Sequence, residues 1–219
     1  MFETMGIRVL FVPLFKVHFN LDLPDHYKHC SAVCATSRNG LRALSQISLP
    51  HREFLFVTGP SSMTMALDMP YKNIFCSSNG RVSGLTQAIC GQSHIFHKPL
   101  LYMRGDIIKT PLKERLANHH IPVVEHQAYQ LDLCLSGKAK LKEALSLNPF
   151  GIAVLSQRIA NVLFAVFQNK PPSRYTQFFS LSSDITHILK KISSNIFQAK
   201  TPNLDTLNNL IKRVLGKPL

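Results

Sequence analysis

The chain has 219 residues, 45% of them hydrophobic and 17% charged. That is enough for one large domain or two small ones around a buried core, and too apolar for general disorder. Its 25 Lys and Arg against 12 Asp and Glu give a net charge of +13, which favours an anionic partner. The basic residues are scattered, however, with no run longer than Lys190-Lys191 or Lys212-Arg213, so the basic tail or arm of a nucleic-acid binder is absent.

Taken in chain order, short apolar runs alternate with stretches of helical period. Residues 7–15 (IRVLFVPLF) read as a strand ended near Pro13. The apolar part, Val9–Phe15, is far shorter than the ~20 residues that span a bilayer. It is preceded by Glu3, has only Arg8 for positive charge and is followed by no small-residue cleavage site, so a buried strand fits better than a signal peptide. A strand over 30–37 leads into a helix over 38–47, and a strand over 53–59 into a helix over 60–68. A strand over 99–106 precedes an amphipathic helix over 109–120 with proline in its first turn. Residues 122–133 are extended and 137–147 helical. Two further strand–helix pairs follow, 151–157 with 158–169 and 175–182 with 184–197. The chain closes with a helix over 203–216, capped by Asn203 or Thr201 and stopped by Gly216.

Such alternation predicts an α/β fold with a mostly parallel sheet, whose strands need continuous apolar runs because both faces are covered. The sequence also echoes itself. VCATSRNGLRAL and AVLSQRIANVLF share apolar strand, hydroxyl residue, arginine and helix, and FLFVTGPSSMTMAL and FFSLSSDITHIL share apolar strand, Ser or Gly turn and helix. Two halves of similar build are expected.

Ligands of an open α/β sheet sit beyond the carboxyl ends of its strands. Four turns fall there: Thr36-Ser37-Arg38, Gly59-Pro60-Ser61-Ser62, Ser156-Gln157-Arg158 and Ser182-Ser183-Asp184. Each sets hydroxyls and free amides at a helix start, a place that favours anions, although each hydroxyl taken alone is equally a helix cap. Arg104 and Gly105, flanked by Lys98 and Lys109, form a further anion-facing turn, or a solvated loop. Tyr129 lies in an extended polar stretch, where a phenol can give up a proton. The sequence contains no GxSxG, Walker or GxGxxG motif. HIFH at 94–97 and the His119-His120 pair lack partners at ligand spacing and read as surface histidines, so no metal is expected. The five cysteines include no CxxC pair and read as reduced thiols of a cytosolic protein.

In order along the chain, several of these stretches resemble the uroporphyrinogen-III synthase family. SAVCATSRNGLRAL is similar to its strand ending in Thr-Ser before a helix, and FLFVTGPSSMTMAL to its strand and glycine turn. NIFCSSNGRVSGLTQAI is similar to its Ser/Gly stretch before a helix. PLLYMRGDIIKTPLKERLANHHIPVVEHQAY is the longest match, and IAVLSQRIANVLF, FFSLSSDITHIL and TPNLDTLNNLI follow. The resemblance implies two flavodoxin-like (Rossmann-like) parallel-sheet domains joined by crossing strands near Lys16–Phe19 and Glu125–Leu131. Domain one would be 1–16 with 131–219, domain two 17–130, and the site the cleft between them.

The resemblance also implies the chemistry. Hydroxymethylbilane, a linear tetrapyrrole with eight carboxylates, loses its hydroxyl as water, inverts its terminal ring through a spiro intermediate and closes to uroporphyrinogen III, with no metal or organic cofactor. Tyr129 matches the family's cleft tyrosine and would assist departure of the hydroxyl. Substrate contacts are expected from Thr36, Ser37, Arg38, Ser61, Ser62, Arg104, Gly105, Ser156, Ser182 and Ser183. Asp184 and Ile185 depart from the Thr pair of some members. A cytoplasmic monomer is implied, taking substrate by hand-over from hydroxymethylbilane synthase and binding neither nucleic acid nor membrane.

One departure concerns the start. The family opens with a strand and helix, whereas FETMGIRVLFVPLF begins at the tail of that helix and runs into the second strand. The absent first strand would be central, so the 219-residue form is expected to melt below an N-terminally extended one. Two rival readings stand beside the enzyme: a non-catalytic two-lobed binding protein for a polyanion, and, on charge alone, a nucleic-acid module.

Overall fold

The computed structural model describes residues 2, 5–50 and 53–216, with Lys28 in backbone alone; the outermost bounds expected for domain one, residue 1 and residues 217–219, lie outside them. The chain separates into two compact units. Unit one takes the described residues up to Leu14 and from Leu133 onward; unit two is Phe15–Asp132.

Unit two is built on a six-stranded sheet. Its strands are β1 (Phe15–Phe19), β2 (Ala32–Ala35), β3 (Phe54–Val57), β4 (Asn73–Cys76), β5 (Leu100–Gly105) and β6 (Val123–Leu133), in the spatial order β1-β6-β5-β2-β3-β4. Helices α1 (Arg38–Leu44), α2 (Pro60–Leu67), α3 (Val82–Cys90) and α4 (Leu112–Ala117) alternate with them. The pairings β2–β3, β2–β5, β3–β4 and β5–β6 are all parallel. Counted in chain order from β2, the parallel strands lie 3-2-1-4-5. Of the doubly wound arrangements this is the Rossmann order, which reverses between β2 and β5.

Successive strand residues point to opposite faces, and the core divides accordingly. Val33, Ala35, Leu55, Val57, Leu101 and Met103 join Leu41 and Leu44 of α1 on one face. Cys34, Phe56, Leu100 and Tyr102 join Leu85 and Ile89 of α3 and Leu112 and Leu116 of α4 on the other. Phe56 stacks on Phe75 at 4.9 Å between ring centroids. Each large apolar side chain so buried contributes about 1.5–3 kcal/mol. The turn from β3 into α2 passes through Gly59 at φ 72°, a left-handed conformation that a side chain would resist.

Unit one holds a three-stranded parallel sheet, β7 (Gly151–Val154), β8 (Gln177–Ser180) and β9 (Ile196–Gln198), in that order. Helices α5 (Leu135–Ser146), α6 (Gln157–Phe167), α7 (Ser183–Leu189) and α8 (Leu204–Leu215) accompany it. Asn203 Oδ1 accepts from the Thr206 amide at 2.8 Å, which starts α8. That helix buries Leu207 and Ile211 against Phe179, whose ring stacks on Phe197.

Two expectations need correction, and one region holds elements beyond them. Residues 7–14 form no strand, and the first strand is Phe15–Phe19. Val9, Leu10 and Phe11 are exposed, Phe11 by 88%. Pro13 brings no amide to a ladder, and among the described residues no strand pairs with this run. The region between Leu67 and Leu100, where periodicity predicts no element and only the family resemblance implies a helix, contains both β4 and α3; NIFC is too short to show a period. The helix expected over 184–197 stops at Leu189, and Ile196–Gln198 become β9. Its second half carries Lys190, Lys191, Ser193, Ser194 and Asn195, which do not continue an apolar stripe, while Ile196 and Phe197 suit a strand beside β8.

Candidate functional site

The reversal of strand order in unit two opens a crevice position at the carboxyl ends of β2 and β5. The chain leaving β2 there is Thr36-Ser37. Ser37 has extended backbone angles and caps α1, its Oγ accepting from the Gly40 amide at 3.1 Å. The same hydroxyl donates its single proton to the Tyr129 Oη at 2.9 Å. Thr36 faces the other way. Its Oγ1 lies 3.0 Å from the Tyr102 Oη, and its carbonyl accepts from the Thr58 Oγ1 at 2.9 Å.

Tyr129 arrives from β6, and a bulge aims it. Arg104 pairs with Gln127 but Gly105 pairs with Tyr129, so Ala128 is the extra residue. A bulge of this kind re-aims the side chain beside it. The phenol then lies over Gly105: a Cβ on that glycine would stand 2.7 Å from both the Cζ and the Oη of Tyr129. Gly105 is therefore required by close approach. Arg104, one residue earlier, donates from Nη1 to the Gly105 carbonyl at 2.9 Å. Its Nε stands 3.3 Å from the Glu125 Oε2, both side chains being about a fifth exposed, in an ionic contact rather than an aligned hydrogen bond. This pair ties β5 to β6 next to the bulge.

Burial shapes the titration of the groups beneath. The Tyr102 phenol is pushed up to about 12, chiefly by burial and against the lowering effect of its Thr36 hydrogen bond. The Cys34 thiol, fully buried on the neighbouring strand, is raised well above its ordinary value by burial and then by the Glu125 charge. Both stay neutral at any physiological pH.

The other expected residues divide. Arg38 is exposed at the first position of α1, and Ser61 is exposed in the first turn of α2, while Ser62 beside it is buried. In unit one, Ser156 caps α6 by accepting from the Ile159 amide at 3.3 Å. Ser182 occupies the cap of α7 without a side-chain cap bond, and Ser183 opens the helix exposed. The hydroxyl that organises that turn is Thr186, bonded to Ser180, to the Ser182 carbonyl and to Gln198. The structure thus gathers Thr36, Ser37, Arg104, Gly105 and Tyr129 around one strand-end cluster in unit two. Sequence reasoning missed Tyr102, Thr58 and Glu125. Tyr102 hides in an apolar run, and its one signal is a hydroxyl three residues before Gly105 on a strand that ends at the crevice.

A concavity of about 580 Å³ opens beside Leu21, Pro24 and Gln46 and shares no residue with this cluster. Among the described residues no group of three or more His, Cys, Asp or Glu is placed to hold a metal, and no helix is long and apolar enough to cross a membrane.

Fold and site together define a doubly wound α/β protein that presents hydroxyls and a held phenol at the ends of its parallel strands. The family model for uroporphyrinogen-III synthase HemD matches residues 1–208, and the chain belongs to that family of cyclising hydro-lyases of haem biosynthesis. Uroporphyrinogen-III synthetase from Helicobacter pylori 26695 has a similar structure, with TM-score 0.63 and 18% identity over 92% of this chain and 91% of that one. A mutant uroporphyrinogen III synthase from the extremely thermophilic bacterium Thermus thermophilus matches with TM-score 0.56 and 15% identity, over 99% of this chain and 92% of that one. At these identities the likeness is one of fold. No curated protein sequence matches.

Proposed function

We propose that this chain closes hydroxymethylbilane to uroporphyrinogen III with Tyr129 as the proton donor to the departing hydroxyl. The observation that supports this assignment is the direction of one hydrogen bond. Ser37 Oγ accepts from the Gly40 amide and donates its own proton to Tyr129. The phenol accepts there, which leaves its own proton free for a ligand. Protonating the hydroxyl lets it leave as water. The resulting cation on the hydroxymethyl-bearing pyrrole is attacked by carbon of the ring at the other end, and inversion of that ring and closure expel a ring proton, which restores the Tyr129 phenol.

Thr36, Ser37, Arg38, Ser61 and Ser62 with the neighbouring amides are proposed contacts for substrate carboxylates on unit two, and Ser156, Ser182 and Ser183 on unit one. A carboxylate at one exposed helix start gains only about 0.3–1 kcal/mol, so an eight-carboxylate substrate needs several. In this reading Arg104 and Gly105 serve mainly to hold the bulge and the ring of Tyr129. The two units are taken as the two domains that the family resemblance implies. The reading extends to a cytoplasmic monomer supplied by hydroxymethylbilane synthase, with the free thiols of Cys30, Cys34, Cys76 and Cys90 favouring a reducing compartment.

The test is the isomer formed. Incubated with hydroxymethylbilane, the purified chain is expected to yield the type III ring. Type I alone, the spontaneous product, would reduce the chain to a binding protein for a polyanion.

A further inference from the structure

Two tyrosines of unit two reach the Thr36-Ser37 step from opposite faces of the sheet. Tyr129 packs with the core of the α1 face and takes the Ser37 proton. Tyr102 belongs to the core of the α3 and α4 face, is only 4% exposed, and meets Thr36 Oγ1 at 3.0 Å. Adjacent residues at a strand end point to opposite faces, so whatever fixes Thr36 on one side fixes the direction of Ser37 on the other. The Thr58 Oγ1 bond to the Thr36 carbonyl holds the same peptide from the end of β3. We propose that Tyr102 is a positioning residue for the reaction: its buried hydroxyl anchors Thr36 and thereby sets the Ser37 hydroxyl that orients Tyr129.

Buried this deeply, the Tyr102 ring is placed to act through Thr36 and not on substrate. A phenylalanine would supply the same packing, since Tyr102 shares an apolar buried cluster with Cys34, Phe56, Leu85, Leu100 and Leu112. What the hydroxyl adds is a directional tie on the one peptide that carries the cap of α1 and the partner of Tyr129. The cost of the tie is a polar atom in an apolar cluster, which is acceptable only because it is bonded. The inference deepens the proposed function and rests on Tyr129 as proton donor.

The experiment is a double-mutant cycle with Tyr102→Phe and Tyr129→Phe on the full chain, reading kcat and KM for hydroxymethylbilane separately. Losing one orienting hydrogen bond should lower kcat about threefold to tenfold with KM changed less than twofold. The double variant should be no slower than Tyr129→Phe alone, because Tyr102 has nothing left to orient. A wild-type kcat for Tyr102→Phe, or a double variant slower than Tyr129→Phe by the full Tyr102→Phe factor, would overturn the proposal. Rescue of turnover by lower temperature would do the same, since it would reveal a loss of folded protein only. The reading of Tyr129 fails separately, by full turnover of the Tyr129→Phe single variant.

Discussion

β2 and β7 open the same motif in the two units, yet they end in different surroundings. Val33 of β2 pairs with Leu55 as Ile152 of β7 pairs with Phe178, and both strands lead to a serine that caps the next helix, Ser37 and Ser156. β2, however, has β5 on its second edge, and β7 has no strand there among the described residues. Cys34 is fully buried where its counterpart Ala153 is exposed. Thr36 is bonded to Tyr102 from β5, where its counterpart Leu155 is 44% exposed. One motif therefore ends either tied to tyrosine hydroxyls from the neighbouring strands or in a capped turn without them, and the neighbouring strand decides which.

The largest stability effect that separates the units is expected at alkaline pH. Tyr102 titrates near 12 in the folded protein against an ordinary 10. The unfolded chain therefore releases this proton first, and the Tyr102 contribution, complete below about pH 10, should fall as pH rises toward 12, by about 2–3 kcal/mol, on top of the loss that begins near pH 9 from the buried Cys34 thiol, raised in the same way. Urea unfolding across that range should show the slope in the wild type and a smaller one in Tyr102→Phe. Next in size is a polar atom placed on each matching strand. Cys34→Ser should cost about 1–2 kcal/mol for a buried hydroxyl without a good partner, whereas Ala153→Ser should stay within about 0.5 kcal/mol. Equal losses would mean that β7 is as enclosed as β2. The caps should behave alike in stability: Ser37→Ala and Ser156→Ala should each cost about 1 kcal/mol. Only Ser37→Ala should also slow turnover markedly, because only Ser37 has a phenol to orient; equal kinetic losses would erase the distinction.

How far the sequence disclosed this depended on how local the cause was. The strands β2, β3, β5, β7 and β8 were legible because each is a continuous apolar run bounded by turn residues, and the repeat of Ser37 and Ser156 could be read from spacing alone. Tyr129 stood out as a phenol in an extended polar stretch. β9 was not legible, because three residues carry no period and the neighbour β8 makes them a strand. Residues 7–14 misled, since apolar content predicts burial only where a partner surface exists. Tyr102 was hidden for the opposite reason. Its ring is ordinary core, and its significance comes from a hydroxyl contact with Thr36, 66 positions away. The bulge at Ala128, which sets Tyr129 over Gly105, likewise depends on the register between two strands and leaves no mark in either one.

The account rests on a phenol whose proton is free because a capping serine has already given its own. The most direct measurement is steady-state turnover of hydroxymethylbilane by Tyr129→Phe. The ring and its packing remain, so KM should change little, while kcat should fall by about a hundredfold or more, as for loss of a general acid. A kcat within about twofold of wild type would show that the departing hydroxyl takes its proton from elsewhere.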